Sequence, residues 1–205
     1  EDQLYDVTGS SLEDLTLERS HLQFDGSRDF VDLGSGADMD LGNAFTISAW
    51  VRPDQLRTYG GIVSKVNSGR SSYSFMLTTH SDGRLGSYSP QKGWQWSSQD
   101  GAHLAEGDWA YVTWKLQDGQ IHYYINGESC GSSPFTYSDN SGHHMTLGSW
   151  YYRYWYDRDF DGMMDDVKIF DSALSDEEIQ FYMNSQLAGD EDSLAAYYTF
   201  DGGIA

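Results

Sequence analysis

Two stretches of the sequence place aromatic side chains among polar neighbours. The first contains Trp94 and Trp96, with Tyr88 nearby, and the second is the run WYYRYWY at residues 150–156. The apolar face of a sugar ring can stack on an aromatic ring, while Asp and Arg side chains hydrogen-bond its hydroxyls. The alternative is that these rings pack in the core, between strands or against another protein. The predicted ligand contacts are Trp94, Trp96, Tyr151, Arg153, Tyr154, Trp155 and Asp157.

A second pattern, DRDFDG at residues 157–162, alternates Asp residues before a Gly. Alternate carboxylates converge on one cation when the chain coils around it, and Gly permits the tight turn. The pattern is not an EF-hand, because its twelfth position, which requires Glu, is Lys168. It predicts either a nonstandard calcium loop with Asp157, Asp159 and Asp161 as ligands, or a solvated acidic loop that leads into a strand.

Signatures of hydrolytic catalysis are missing from the sequence. It has no G-x-S-x-G motif, and its 8 Glu residues never show the Glu-x-Asp-x-Glu spacing typical of jelly-roll glucanases. The single cysteine, Cys130, excludes an intrachain disulfide and is predicted to be a packed small residue. The pair His143-His144 is predicted to lie in a solvated loop. The sequence therefore predicts that the protein is not an enzyme, although a pair of facing Asp side chains would reopen glycoside hydrolysis.

The charge of the chain excludes several classes of partner. Of its 205 residues, 12 are Lys or Arg and 32 are Asp or Glu, so the net charge is −20. Such an acidic chain is repelled by nucleic acid backbones and by anionic membranes. No apolar run approaches the ~18 residues needed to span a bilayer. The excess of Asp fits a solvated, salt-adapted surface or calcium ligation, and the two are compatible.

Short runs that alternate apolar and polar residues predict strands. β-Branched and aromatic residues are frequent in these runs, and clusters of Gly, Asn, Asp and Ser separate them. The runs begin at His21, Phe30, Phe45, Tyr73, Trp109, Ile121, Val167 and Ala195. The dipeptides Asp82-Gly83, Asp118-Gly119 and Asn126-Gly127 fit the tight turns of antiparallel hairpins.

These features predict an all-β fold, a jelly-roll sandwich of two antiparallel sheets, in one domain over residues 1–205. One short helix is predicted near residues 175–186. Ser175-Asp176-Glu177-Glu178 forms a capping box at its start, and apolar residues follow at helical spacing. Because loops gather at one edge of a jelly roll, the two aromatic stretches are predicted to be loops that form a single platform.

Several motifs together resemble the laminin-G-like domains of the concanavalin A-like superfamily, in particular their pentraxin-like branch. The strand FTISAWVRP at 45–53 is similar to the family's F-T-I-S-A-W-V-x-P strand, and YINGE at 124–128 to its Y-x-N-G-x hairpin. The block at 160–175 resembles F-x-G-x-I-D-D-V-R-I-Y-x-x-A-L-S. The match covers about residues 20–185, in order. It implies a two-sheet jelly roll that usually serves as a binding module in adhesins, secreted enzymes and surface proteins.

The resemblance also implies a structural calcium ion. Many members hold it between the Asp after the first strand and an Asp of the I-D-D-V strand, which here are Asp25 and Asp165. Gly26 and Asp29 lie nearby in sequence and would supply further oxygen ligands. Residues 149–152 depart from the ligand-binding calcium cluster of pentraxins, so an aromatic platform is expected in its place.

The ends of the chain resemble displaced parts of the same family. Residues 194–201, LAAYYTFD, resemble the strand with which such domains often begin, and residues 5–10 resemble the segment that usually follows it. We expect the last run to supply that strand from the C-terminal side. The chain is expected to be cut from a tandem array or another multidomain protein.

Together these observations predict a non-catalytic, calcium-stabilised carbohydrate-binding or adhesion module. The family implies a secreted or cell-surface protein, expected to be bacterial, whose partners are a glycan and other domains of the parent protein. The alternatives are a protein-interaction or spacer module, or a glycoside hydrolase of concanavalin-like fold.

Overall fold

The computed structural model describes residues 20–36, 39–66, 73–138, 142–149 and 158–201. Within these residues the eight predicted runs and five further strands form two antiparallel sheets that share one core, which confirms the two-sheet sandwich. The first sheet has seven strands in the order β1-β12-β3-β8-β9-β10, with β13 also paired to β12. The second has six strands in the order β2-β11-β4-β5-β6-β7.

The strands differ in length, and the longest two, β3 and β12, are neighbours in the seven-stranded sheet. Its members are β1 (Leu22–Asp25), β3 (Phe45–Gln55), β8 (Ala110–Gln117), β9 (Gln120–Ile125), β10 (Glu128–Pro134), β12 (Asp161–Phe170) and β13 (Leu194–Tyr198). The six-stranded sheet contains β2 (Val31–Gly34), β4 (Gly60–Val66), β5 (Tyr73–Thr79), β6 (Leu85–Ser89), β7 (Gly93–Trp96) and β11 (His144–Leu147).

The core lies between the sheets and follows the alternation of the sequence. In β3 the inward positions Phe45, Ile47, Ala49 and Val51 are all fully buried. Burial of one such side chain stabilises the fold by about 1.5–3 kcal/mol for the larger residues. Trp114 also crosses the core, and its Nε1 donates a hydrogen bond of 3.0 Å to a backbone carbonyl of the opposite sheet. Alternation therefore determines which face of each strand is available to a ligand.

One helix, α1 (Asp176–Met183), begins where the capping box predicts. Ser175 Oγ accepts a hydrogen bond from Glu178 N at 3.2 Å, and Glu178 Oε2 accepts one from Ser175 N at 2.7 Å. The helix ends at Met183, three residues before the predicted limit. Its buried residue Ile179 belongs to a small apolar cluster with Phe170 of β12, so the helix covers part of the outer surface of the seven-stranded sheet.

Strand β12 pairs along one edge with both ends of the chain. β1 pairs with its first half, Asp161–Met164, and β13 pairs with its second half, Val167–Phe170. The C-terminal run therefore forms a strand in the sheet, as the sequence suggested. Between the two halves the register shifts between Asp165 and Lys168, and Asp166 adopts a left-handed φ of 51°.

Two minor predictions have different outcomes. Cys130 is buried, as predicted, and burial raises the pKa of its thiol to about 11. The prediction of a solvated loop at His143-His144 is wrong, because His143 is buried, with Nδ1 3.1 Å from Ser74 Oγ, and His144 begins β11. Among the described residues, no helix is long and apolar enough to cross a bilayer.

Candidate functional site

Four aromatic side chains form a cluster, here called the aromatic face, on the outer surface of the six-stranded sheet: Tyr59, Tyr88, Trp94 and Trp96. The indoles of Trp94 and Trp96 are parallel to within 10°, with centroids 5.9 Å apart. Tyr59 lies 4.4 Å from Trp94 and 5.6 Å from Trp96, and Tyr88 lies 5.1 Å from Trp94. All four residues are partly exposed. The aromatic face therefore offers adjacent apolar rings for stacking.

The prediction that Trp94 and Trp96 lie in a loop is wrong, because both belong to the edge strand β7. Trp94 is opposite Tyr88 of β6, and Trp96 is opposite Gly86. Between these two β6 residues, Ser87 points into the core, where its Oγ lies 2.8 Å from Tyr123 Oη. The alternation of the strands therefore turns both tryptophans outwards.

Gly86 makes room for one of these indoles. A Cβ at this position would lie 2.6 Å from Cε3 of Trp96 and 2.7 Å from Oγ1 of Thr78. Both distances are shorter than real contacts of a Cβ atom. Trp96 therefore lies directly over the backbone of β6, and the missing side chain fixes the height of its ring above the sheet.

Two residues that the sequence analysis missed complete this region, Tyr59 and Arg158. Tyr59 has a left-handed φ of 73°, and its N–H donates a 3.0 Å hydrogen bond to Thr79 O. The Arg158 guanidinium carbon lies 5.0 Å from the centre of the Tyr59 ring, a cation–π contact. Their signals in the sequence are weak: Tyr59 precedes Gly60-Gly61, and Arg158 is next to the predicted Asp157.

The polar border of the aromatic face includes His80, whose ring centre lies 4.6 Å from that of Trp96. His80 Nδ1 lies 2.7 Å from Asp82 Oδ1, and Arg84 Nε lies 2.9 Å from Asp82 Oδ2. Burial acts to raise the pKa of Asp82, but hydrogen bonds from Arg84 and His80 outweigh it and lower that pKa below its usual value. Asp82 is therefore an acceptor and not a proton donor.

Five predicted contact residues lie outside the described part of the chain: Tyr151, Arg153, Tyr154, Trp155 and Asp157. The described residues that bracket them are Ser149 and Arg158. Arg158 contacts Tyr59, and its carbonyl accepts a 2.9 Å hydrogen bond from Gly61 N. Arg158, the first described residue after them, therefore lies beside the aromatic face.

A group of acidic residues lies where the loop after β1 meets the start of β12. Asp25 is directly opposite Asp161 in the sheet. Asp29 Oδ2 accepts a 3.0 Å hydrogen bond from Asp25 N. Asp159 is buried, and its carboxylate accepts hydrogen bonds from Arg28 N at 2.7 Å and from Ser149 Oγ at 2.5 Å. This arrangement joins the loop after β1 to the segment before β12.

The pKa values in this group follow from burial and from crowding of negative charge. Burial raises the pKa of Asp159 despite its two hydrogen bonds, and the charge of Asp29 adds to the effect. Burial likewise raises the pKa of Asp161, with a further contribution from neighbouring carboxylates, against the lowering effect of Arg57. Both carboxylates would thus be stabilised by additional positive charge.

The guanidinium of Arg57 is the cation at this point. Its Nη1 donates a 2.7 Å hydrogen bond to Gly26 O, and its Nη2 donates one of 2.7 Å to Asp161 Oδ2. Carbonyl and carboxylate oxygens are the donors that calcium prefers, so the residues fit calcium in chemical type. Among the described residues, however, no three His, Cys, Asp or Glu side chains converge as a metal site. A calcium ion here would have to displace Arg57.

The structure does not bring Asp165 to Asp25. Asp165 lies four residues beyond Asp161 along β12, which corresponds to about 13 Å of strand. It is buried, and its Oδ1 accepts a 2.8 Å hydrogen bond from Asp166 N in the irregular part of the strand. The residue opposite Asp25 is Asp161, which the sequence analysis had assigned to a separate calcium loop.

Solved structures with a similar fold include domains that carry sugars. A candidate carbohydrate-binding protein from Bacteroides ovatus has a TM-score of 0.65 at 19% identity, and the match covers 85% of this chain and 50% of that one. The CBM40 of the Ruminococcus gnavus IT-sialidase, bound to α2,3 sialyllactose, has a TM-score of 0.65 at 17% identity and coverages of 79% and 95%.

A third similar structure is domain 4 of AbnA, an extracellular GH43 arabinanase from Geobacillus stearothermophilus, in complex with arabinotriose. Its TM-score is 0.59 at 21% identity, with coverages of 79% of this chain and 75% of that one. Whole sialidases and a pentraxin are also among the similar structures. The chain spans about half the length of the Bacteroides protein and about a quarter of a sialidase. At these identities the likeness shows the fold.

The sequence itself identifies the family. A comparison with curated proteins gives no match. Residues 25–180 match the family model Laminin_G_3, which is described as the Concanavalin A-like lectin/glucanases superfamily. Because these residues make up more than half of the chain, the protein belongs to the Laminin_G_3 family of the concanavalin A-like superfamily.

Proposed function

We propose that this domain is a non-catalytic carbohydrate-binding module of an extracellular protein, with a role in adhesion. The observation that carries the proposal is the aromatic face. Trp94 and Trp96 are parallel and partly exposed, and Tyr59 extends the apolar surface towards Arg158. The neighbours that hold sialyllactose and arabinotriose on the same fold support a sugar ligand.

The aromatic face would bind sugar by stacking and select it by hydrogen bonds. The rings of Trp94 and Trp96 would cover the apolar side of one or more sugar units, which is worth roughly one to a few kcal/mol per ring. Arg158, which contacts Tyr59, and His80, which contacts Trp96, would bind hydroxyl groups. We also place Tyr151, Arg153, Tyr154, Trp155 and Asp157 in the binding site as part of this proposal.

A calcium ion is the second element of the proposal. It would bind Asp25, the Gly26 carbonyl, Asp29 and Asp161, and it would replace the guanidinium of Arg57 between the loop after β1 and β12. Its role would be structural, since a cation that neutralises these carboxylates stabilises the folded state. Asp165, which the resemblance had suggested as a ligand, is left out of this set because it lies too far along β12.

A glycoside hydrolase fits the same surface less well than a binding module does. Glycoside hydrolysis needs a carboxylic acid with a raised pKa opposite a second carboxylate. Asp82, the carboxylate bound to His80 at the border of the aromatic face, has a lowered pKa. The acids with raised pKa, Asp159 and Asp161, are engaged by Arg28, Ser149 and Arg57. A protein-binding role remains the alternative that the experiment below tests.

A glycan array with and without calcium tests the proposal, with arabinotriose and α2,3 sialyllactose among the probes. We expect the wild type to bind at least one class of glycan and Trp96→Ala to lose most of the signal. Phe181→Ala is the matched control, because Phe181 is 66% exposed and lies on α1, the helix that packs on the seven-stranded sheet. Binding to no glycan, or equal loss in both variants, would overturn the proposal. Trp155→Ala extends the same test to the second aromatic stretch.

A further inference from the structure

The outer surface of the seven-stranded sheet contains a depression of about 390 Å³. It is lined by His21, Trp50, Arg52, Trp109, Met163 and Asp165. Val51 and Met164, which alternate with these residues along β3 and β12, are fully buried in the core, so the lining residues face outwards. The volume falls within the range of about 300–1,000 Å³ that is usual for small-molecule sites.

Two indoles form walls of this depression. Trp50 Nε1 donates a 3.2 Å hydrogen bond to Met183 O at the end of α1, and its ring contacts Tyr111 at 5.5 Å between centroids. Trp109 is 39% exposed, and it meets the His21 ring edge-on at 6.0 Å. Trp50 is held by its hydrogen bond and by Tyr111, so a ligand would lose little entropy in ordering that ring.

Charged groups of both signs lie between the indoles. Arg52 pairs through Nη2 with Asp54 Oδ1 at 3.1 Å, and its buried Nε has no hydrogen-bond partner among the residues that the structure describes. In the β3–β12 register, Arg52 is opposite Met163 and Asp165 is opposite Trp50. Arg52 and Asp165 are therefore diagonal neighbours on the same surface. Arg52 supplies hydrogen-bond donors, and Asp165 supplies acceptors.

We propose that this depression is a second ligand site, which binds a single neutral sugar unit. Indole walls suit the apolar side of a sugar ring, and a donor and an acceptor placed side by side suit its hydroxyls. Asp165 disfavours an acidic sugar, and Arg52 disfavours an amine. The site lies on the opposite surface of the sandwich from the aromatic face, and the two sheets are about 10 Å apart. One sugar unit therefore cannot contact both sites.

The test follows the indole N–H signals of Trp50 and Trp109 in ¹H–¹⁵N spectra of the Trp94→Ala/Trp96→Ala double variant. The probes are galactose, glucose, xylose, arabinose, N-acetylglucosamine and lactose at millimolar concentration, with glucuronic acid and α2,3 sialyllactose as acidic probes. We expect both signals to shift with at least one neutral probe. No shift with any neutral probe, or a shift with acidic probes alone, overturns the proposal.

Further variants separate this site from the aromatic face. Trp109→Ala should lower about tenfold the affinity for the neutral probe that shifts the wild-type signals. Phe181→Ala should leave this affinity unchanged. An unchanged affinity in Trp109→Ala overturns the proposal. If the double variant does not fold, the same titration of the wild type, with the four tryptophan signals followed separately, gives the answer. Because Trp94 and Trp96 report on the aromatic face independently, failure of that site and failure of the depression are distinguishable.

Discussion

The two outer surfaces of the sandwich present tryptophan in opposite ways. On the six-stranded sheet, Trp94 and Trp96 lie two residues apart on one edge strand, with parallel rings bordered by Tyr59. On the seven-stranded sheet, Trp50 and Trp109 come from different parts of the chain and border a depression that contains Arg52 and Asp165. The first surface is mainly apolar, and the second combines apolar walls with opposite charges.

Such a difference would divide affinity from selectivity between the two surfaces of one fold. A run of adjacent rings stacks on any sugar that presents an apolar side, so it gains affinity from contact area and tolerates variation. A depression with a donor beside a carboxylate favours ligands whose hydroxyls match both groups, because a hydrogen bond to a charged group contributes about 1.5–3 kcal/mol. We therefore expect the aromatic face to accept a range of sugars and the depression to accept few.

Truncation of Trp96 separates the two surfaces directly. Trp96→Ala should weaken glycan binding at the aromatic face about tenfold or more, which corresponds to at least about 1.4 kcal/mol. The side chain is partly exposed at a sheet edge, so the fold should persist. Calorimetric titration with the best glycan from the array measures the change. Trp109→Ala should leave this affinity unchanged.

A loss of folding in Trp96→Ala would mean that the ring packs the fold and does not bind glycan. If Trp96→Ala unfolds the domain without a specific effect on any glycan, the indole acts in stability and not in recognition. Circular dichroism and the melting temperature distinguish the two outcomes.

Calcium gives the next effect in size. Chelation should lower the melting temperature by several degrees, since each kcal/mol lost corresponds to about 2–4 °C in a domain of this size. Chelation should also lower the affinity for glycans at the aromatic face more than the affinity for sugars at the depression. The reason is that Arg57 is two residues from Tyr59, and Asp159 is next to Arg158 in the chain. Melting curves and glycan titrations with and without EDTA provide the measurement.

Two matched variants locate the ion. Asp161→Asn should remove the calcium dependence of the melting temperature, because Asp161 is opposite Asp25. Asp165→Asn should retain it, because Asp165 lies farther along β12. A calcium response that survives Asp161→Asn and disappears in Asp165→Asn would restore the ligand set suggested by the family resemblance. An unchanged melting curve in EDTA would remove calcium from the proposal.

The sequence predicts eight of the thirteen described strands and the start of the helix, because their signals are local. Alternation marks the inward positions of β3, and the capping box at Ser175 places the start of α1. Register is not local. The position of Asp25 opposite Asp161, and not Asp165, depends on how β1 lies along a strand more than 130 residues away, and no spacing in the sequence specifies that.

The candidate site was predictable only in part for the same reason. Trp94 and Trp96 are conspicuous, but their polar neighbours suggest a loop, whereas pairing with β6 makes them a strand. Tyr59 and Arg158 meet through a tertiary contact between segments about a hundred residues apart, so neither stands out alone. The depression has no sequence signal, because its lining residues come from four separate segments.

The smallest expected effect concerns the support beneath the aromatic face. In Gly86→Ala the added Cβ would clash with Cζ3 and Cε3 of the Trp96 ring, so the partly exposed indole must move outwards. We expect the dissociation constant for glycans at the aromatic face to rise about two- to fivefold, or about 0.4–1 kcal/mol. The depression should be unaffected. Gly36→Ala is the control, because a Cβ at Gly36 meets nothing within 4 Å. Unchanged glycan affinity in Gly86→Ala, or an equal loss in Gly36→Ala, would show that the height of Trp96 above β6 does not set binding.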